Sequence, residues 1–220
     1  MSVCRLHLPK GAEACHGASF YRHRCRWFQP ALRPCGSQRE RFGAPSISTG
    51  LGSGLILDGK LWNGSGGFAA KFGHITVDPE GYPCPCGNRG CLEQYASAGA
   101  LVRFAREPMP EKTAESLGAE MVAELARKGD TAALAAFVSL GNWLGIALAS
   151  LANTVNIQAV IIGGGVTPGL DLLLPALRRN IQQRCFSLIF EGLVIEKARL
   201  GDDAACSAGR HWREIKTEWP

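Results

Sequence analysis

The stretch His74 to Glu93, HITVDPEGYPCPCGNRGCLE, constrains this chain most, because it gathers one histidine and three cysteines into eighteen positions. Cys84 and Cys86 stand one residue apart, Gly87 and Gly90 bend the chain, Cys91 follows, and His74 ends a short apolar run. Four soft or borderline ligands can therefore converge on one point. Three thiolates and an imidazole from His74, Cys84, Cys86 and Cys91 suit a tetrahedral Zn2+ in a closed structural site, with no position left for a substrate water. The competing reading makes the cysteines small core residues or disulfide partners. The Pro and Gly content of the loop, and its lack of any apolar period, favour the metal.

With 220 residues, 46% hydrophobic and 20% charged, the composition is that of a globular chain able to bury a core. The longest apolar stretch, Leu140 to Leu151, is interrupted by Gly141, Asn142, Gly145 and Ser150, so a buried helix is expected and not a membrane span. The start, MSVCRLHLPKGAEACHG, has no continuous apolar segment of the secretory kind. Nine cysteines without such a segment point to a reducing compartment, and hence to a cytoplasmic protein. The formal charge of +5 is unevenly placed: residues 1–41 hold eight Lys and Arg against two Glu, leaving sixteen basic against seventeen acidic in the rest. A basic segment can mark nucleic acid or an anionic membrane. Here the arginines are mixed with Cys, Pro and aromatics without helical or strand period, which favours a disordered tail.

Along the chain, residues 1–44 form a compositional island. Cys4, Cys15, Cys25 and Cys35 recur there without the close pair that nucleates a metal site, and the segment is left unassigned. From Ser48, STGLGSGLILDGKLWNG predicts a glycine-rich turn, an apolar strand, a tight Asp58-Gly59 turn and a second strand. Gly50, Gly52 and Gly54 leave backbone N–H groups unobstructed, as a phosphate cradle needs and as an ordinary hairpin also allows. CLEQYASAGALVRFARE has helical spacing up to Pro108, a second helix runs to Gly129, and a third extends from about Asp130 to Asn153. NIQAVIIGGG reads as a buried strand ending in Gly163, Gly164 and Gly165; a helix over Leu170 to Cys185 and a last strand in GLVIEKARL follow. Helices alternating with an apolar strand indicate an α/β layer architecture.

The run FGHITVD followed by CPCGNRGCLEQYAS resembles the signature of the ROK family of bacterial sugar kinases and repressors, and is most similar to its glucokinases. The resemblance covers about residues 49–205. It implies an actin-like ATPase, ribonuclease H-like lobe over 45–205, and phosphoryl transfer from ATP with Mg2+ to the 6-hydroxyl of glucose or a related hexose. It also implies a homodimer or homotetramer. By the same resemblance Gly50, Gly52 and Gly54 lie at the nucleotide phosphates, Gly164 and Gly165 at the adenosine, and His74 and Glu93 at sugar hydroxyls. Locally, Glu93 also reads as a first-turn carboxylate favoured by the helix dipole. At Ala70 to His74 the family pattern is Gly-Glu-x-Gly-His, so Lys71 replaces a carboxylate. An ammonium only donates hydrogen bonds where a carboxylate accepts them, and a hexose such as N-acetylmannosamine becomes an alternative to glucose.

The family's amino-terminal Asp-x-Gly-Gly-Thr loop and its catalytic Asp are not found: no Asp precedes Asp58. No catalytic residue is therefore assigned, and poor turnover by this chain alone is expected, since the base and the magnesium site face each other across a two-lobed cleft. GDDAA resembles the family's closing Gly-Asp-Asp-Ala, where Leu-Leu-Gly-Ala usually follows; residues 206–220 do not match. Codons GCC TGC TCG GCG GGN for Ala205 to Gly209, read from the last base of the first, would give Leu-Leu-Gly-Gly, so a reading-frame slip near Ala205 is expected. Three functions remain: a glucokinase-like enzyme, a catalytically inactive zinc-bound sugar-binding remnant, and a sugar-responsive ROK repressor. The repressor needs a winged helix-turn-helix, for which the first 44 residues are too aperiodic.

Overall fold

The computed structural model describes residues 41–47, 50–58, 60–108 and 117–198. The expectations for Cys4, Cys15, Cys25 and Cys35, for Gly59, for the Gly-Asp-Asp-Ala run at 201–204 and for residues 206–220 lie outside these residues. Among the described residues, five strands form one mixed sheet: β1 (Arg41–Ile47), β2 (Leu51–Leu57), β3 (Lys60–Leu61), β4 (Ala159–Ile162) and β5 (Val194–Lys197), in the order β3-β2-β1-β4-β5. β1 and β2 are antiparallel, with Ile47 opposite Leu51 and Arg41 opposite Leu57. β1 also runs parallel to β4, and β4 parallel to β5, with Phe42 opposite Ala159 and Ala159 opposite Val194. β1 is the central strand, and it opens inside the segment that its composition left unassigned.

The hairpin forms around Asp58, whose φ of 52° is the left-handed conformation that an Asp-Gly turn needs. Its second strand is only two residues long, paired through Ile56 with Leu61 and Leu57 with Lys60. Gly52 and Gly54 lie within β2, opposite Ser46 and Ala44, and not in a loop as the glycine spacing suggests. Leu51 and Ile56 are the positions β2 buries.

The helices are α1 (Glu93–Ala96), α2 (Ala98–Arg106), α3 (Ala119–Arg127), α4 (Thr131–Val155), α5 (Leu170–Arg184) and α6 (Ser187–Glu191). The single helix expected over 91–107 is in fact two. Ser97 takes an extended backbone and its hydroxyl accepts the Ala100 amide at 3.1 Å, so it caps α2 and turns the chain out of α1. α4 begins where the Asp130 carboxylate accepts the Ala133 amide at 2.8 Å, and it ends at Asn156 in the left-handed conformation, φ 54°. By length and composition α4 could cross a membrane, but it packs against α1, α2, α3 and α5 with Phe137, Leu140, Leu144 and Leu148 fully buried. α5 lies so close that a Cβ on Gly141 would stand 2.6 Å from the Leu173 carbonyl oxygen. Asn142 and Asn180 make a 2.6 Å side-chain hydrogen bond across that interface.

Candidate functional site

The chain enters the site through a 3-10 turn, Phe72–His74, whose Gly73 sits against β2: a Cβ there would lie 2.2 Å from the Leu51 carbonyl oxygen. Ser53 of β2 fastens the approach, its hydroxyl donating to the Ala70 carbonyl and accepting the Phe72 amide at 3.3 Å. Ala70 itself has φ of 60°, a conformation an L side chain rarely adopts, and Lys71 beside it is exposed.

Beyond His74 the loop doubles back on itself without regular strands. Thr76 bridges to Cys91 and Pro83 to Arg89, the Val77 amide reaches the Gly90 carbonyl at 2.8 Å, and the Gly90 amide reaches the Tyr82 carbonyl at 2.8 Å. Gly90 has φ of 65°, and a Cβ there would fall 1.5 Å from the Asp78 carbonyl oxygen, so no other residue fits the crossing. A tighter turn holds the Cys-x-Cys pair: the Cys84 amide donates to the Asn88 carbonyl at 2.8 Å, and the Gly87 amide to the Cys84 carbonyl at 3.0 Å. Asn88 then ties this turn to the far side through a 2.9 Å bond to the Thr76 hydroxyl.

These reversals bring His74, Cys84, Cys86 and Cys91 together, with one ligand atom of each within 4.8 Å of all the others. Cys84 Sγ lies 3.7 Å from His74 Nδ1, and Cys86 Sγ lies 3.6 Å from Cys91 Sγ. Metal–sulfur bonds of about 2.3 Å in a tetrahedron give sulfur–sulfur edges of about 3.8 Å, so the group has the dimensions of a four-coordinate ion site. Cys84, Cys86 and Cys91 are free thiols, with no disulfide among them. Cys84 and Cys91 are buried while His74 and Cys86 are exposed. Burial pushes the Cys91 thiol up to about 12, the neighbouring Cys86 and Cys84 adding to the shift, whereas the Asn88 backbone and then Cys84 lower Cys86. A cation among these sulfurs reverses the balance by favouring thiolates, and its binding releases their protons.

Two residues beyond Cys91, the Glu93 carboxylate leaves the cluster and grips the glycine-rich strand. Its Oε2 accepts the Leu51 amide at 2.9 Å, and a Cβ on Gly50 would stand 2.6 Å from the same oxygen. Sequence spacing carries no trace of this contact, which joins residues 42 apart. Gly50 follows β1, and Gly163 to Gly165 follow β4. β1 and β4 are adjacent parallel strands, so both glycine turns leave the same edge of the sheet, outside the carboxyl ends of the strands, where α/β sheets commonly take ligands. Gly164 has φ of 93° and its carbonyl accepts both the amide, at 2.9 Å, and the hydroxyl of Thr167; a Cβ on Gly165 would meet nothing within 4 Å. Arg127 of α3 supports this turn by donating to the Pro168 carbonyl and, at 3.2 Å, to Asp171.

The sequence profile of the ROK family matches residues 37–212. The glucokinase of Halalkalibacterium halodurans is 35% identical over 175 residues, which are 74% of this chain and 53% of that relative. The xylose repressor of Bacillus subtilis is 35% identical over 159 residues, 72% of this chain and 40% of the repressor. The crystal structure of a ROK family glucokinase from Streptomyces griseus, in complex with glucose and AMPPNP, is similar with a TM-score of 0.68 at 33% identity, covering 81% of this chain and 62% of that one. The chain spans about half the length of the curated glucokinases it matches. Profile, sequence and fold agree, and the chain belongs to the ROK family.

Proposed function

We propose that residues 45–205 form the carboxyl-terminal lobe of an ATP-dependent sugar kinase of the glucokinase kind, which phosphorylates the 6-hydroxyl of glucose or a related hexose. The observation that carries this reading is the link from Cys91 through Glu93 to Leu51, which ties a four-ligand cluster to a glycine-rich strand. In this reading Zn2+ is held by His74, Cys84, Cys86 and Cys91 and supplies structure, because all four positions are filled by protein. His74 turns Nδ1 toward the cysteines. Its other ring nitrogen then serves a sugar hydroxyl, and the Glu93 oxygen not engaged with Leu51 accepts from another. Gly50, Gly52 and Gly54 line the phosphates of ATP with its Mg2+, and Gly164 and Gly165 the adenosine, where the open face of Gly165 admits a ligand. The general base comes from the other wall of the cleft, since no Asp precedes Asp58.

The 35% identity to a xylose repressor favours a second reading, a sugar-sensing lobe without phosphoryl transfer. Nucleotide binding separates the two. Calorimetric titration of the zinc-loaded chain with AMPPNP, alone and with saturating glucose or xylose, should show nucleotide binding that glucose strengthens. Xylose binding without nucleotide binding would establish the repressor reading instead. Steady turnover of glucose with magnesium-ATP by this chain alone would overturn the placement of the base outside it.

A further inference from the structure

Tyr95 is not a ligand of any kind, yet the metal loop is built around its hydroxyl. The side chain is 3% exposed, with its ring 4.5 Å from Trp143 of α4 and 5.4 Å from Tyr82, centroid to centroid. The phenol donates to Asp78 Oδ2 at 2.9 Å and accepts the Tyr82 amide at 3.0 Å. Asp78 and Tyr82 are the two arms of the turn that carries the chain from His74 to Cys84, a turn closed by the Gly81 amide on the Asp78 carbonyl at 3.0 Å. The closing residue is a glycine because a Cβ on Gly81 would meet the Tyr95 oxygen at 1.7 Å. Arg103 of α2 covers the outer arm, its guanidinium 4.2 Å above the Tyr82 ring.

We propose that Tyr95 is the positioning residue of the four-ligand cluster: by pinning Asp78 and the Tyr82 amide it sets the spacing between His74 and Cys84 before a metal arrives. The proposal rests on the metal reading of His74, Cys84, Cys86 and Cys91. The physical ground is entropic. The segment from Ile75 to Pro83 is tied to the returning chain by two isolated bridges and by Gly90 and not by a continuous ladder, so without the phenol the metal must order more of the Asp78 to Tyr82 turn as it binds, at the expense of affinity. Tyr95 lies four positions beyond Cys91 on α1 and is anchored by Trp143, so the clamp is referred to the helical layer and not to the loop itself.

The test is cobalt(II) titration of the chelated chain, followed by competition with a chromophoric chelator for zinc. Tyr95→Phe keeps the ring and removes the hydroxyl; it should weaken metal binding by about tenfold or more and speed metal release, as loss of groups behind the ligands does elsewhere. The thiolate absorption of the cobalt form should keep its tetrahedral pattern, because the ligands are unchanged. Asp78→Asn retains an acceptor for the phenol and should hold wild-type affinity. Asp78→Ala, which leaves the Tyr82 amide on the phenol, should lose affinity but no more than Tyr95→Phe, and the double variant should be no weaker than Tyr95→Phe. Unchanged metal affinity in Tyr95→Phe, or additive losses in the double variant, would overturn the clamp. A wild-type chain that takes up no cobalt would instead remove the metal reading, and the clamp with it.

Discussion

The loop from His74 to Cys91 and the helical layer use the same device, a glycine that lets two backbones touch, for opposite purposes. Gly141 lets α4 approach α5, and the contact is surrounded by Leu140, Leu144, Leu173 and Leu177, each 0% exposed. Stability there comes from apolar area removed from water, with close packing adding to it. Gly90 lets the loop cross itself beside Asp78, and around it Ile75, Thr76, Pro83 and Arg89 are exposed. Little apolar area is buried there, so order comes from backbone reversals, from the Tyr95 and Glu93 hydrogen bonds, and from the convergence of His74 and the three cysteines. The contrast implies two units of local stability that meet at α1.

Changing the two glycines should separate these units. Gly90→Ala forces a Cβ to within 1.5 Å of a backbone carbonyl in a left-handed conformation, so the crossing cannot survive. Cobalt binding should be abolished while the far-ultraviolet helical signal persists; retention of both would mean that the loop tolerates a different crossing. Gly141→Ala overpacks the helix interface and should cost about 1–3 kcal/mol of global stability in urea unfolding. Its metal affinity should be unchanged. A fall in metal affinity would show that the loop and the helical layer are one unit.

α4 was legible because its signals agree: an Asp cap, an apolar face and an end at Asn156. The convergence of His74, Cys84, Cys86 and Cys91 was legible because groups of this kind cluster in sequence as well as in space. β1 was not. Arg-Phe-Gly-Ala-Pro-Ser-Ile carries Gly, Pro and Ser and has no alternation, and it becomes a strand because β2 and β4 pair with it from both sides. The break at Ser97 was hidden for a related reason, since a serine inside an apolar period reads as a solvated helix position until its hydroxyl is seen to be buried. The grip of Glu93 on Leu51 and the clamp at Tyr95 join residues far apart in the chain and leave no local pattern.

Glu93 is where the His74 to Cys91 loop meets the sheet, and its variants test how far order spreads from the cluster. Glu93→Ala leaves the Leu51 amide without its acceptor, a loss of about 1–3 kcal/mol if no water replaces it. Glu93→Gln keeps a carbonyl oxygen for that amide. Hydrogen exchange at Leu51 should therefore quicken in the alanine variant and stay near wild type in the glutamine variant, with metal content equal in both. Equal exchange in all three proteins would mean that β1 alone holds the Leu51 amide.

The smallest expected effect lies at the entrance to the loop, where Ala70 occupies a conformation suited to glycine. A left-handed backbone costs an L residue about 1–2 kcal/mol. Glycine removes that cost but gives back about 0.4–1 kcal/mol through the greater freedom of the unfolded chain. Ala70→Gly should therefore stabilise by roughly 0.5–1 kcal/mol, a rise of about 1–4 °C in melting temperature for a chain of this size. The gain depends on the Ser53 hydroxyl holding the Ala70 carbonyl and the Phe72 amide in place. In a Ser53→Ala background the backbone at residue 70 is free to relax, and the same glycine should then give no gain. A full gain in that background would place the strain outside the Ser53 contact, in the 3-10 turn that presents His74.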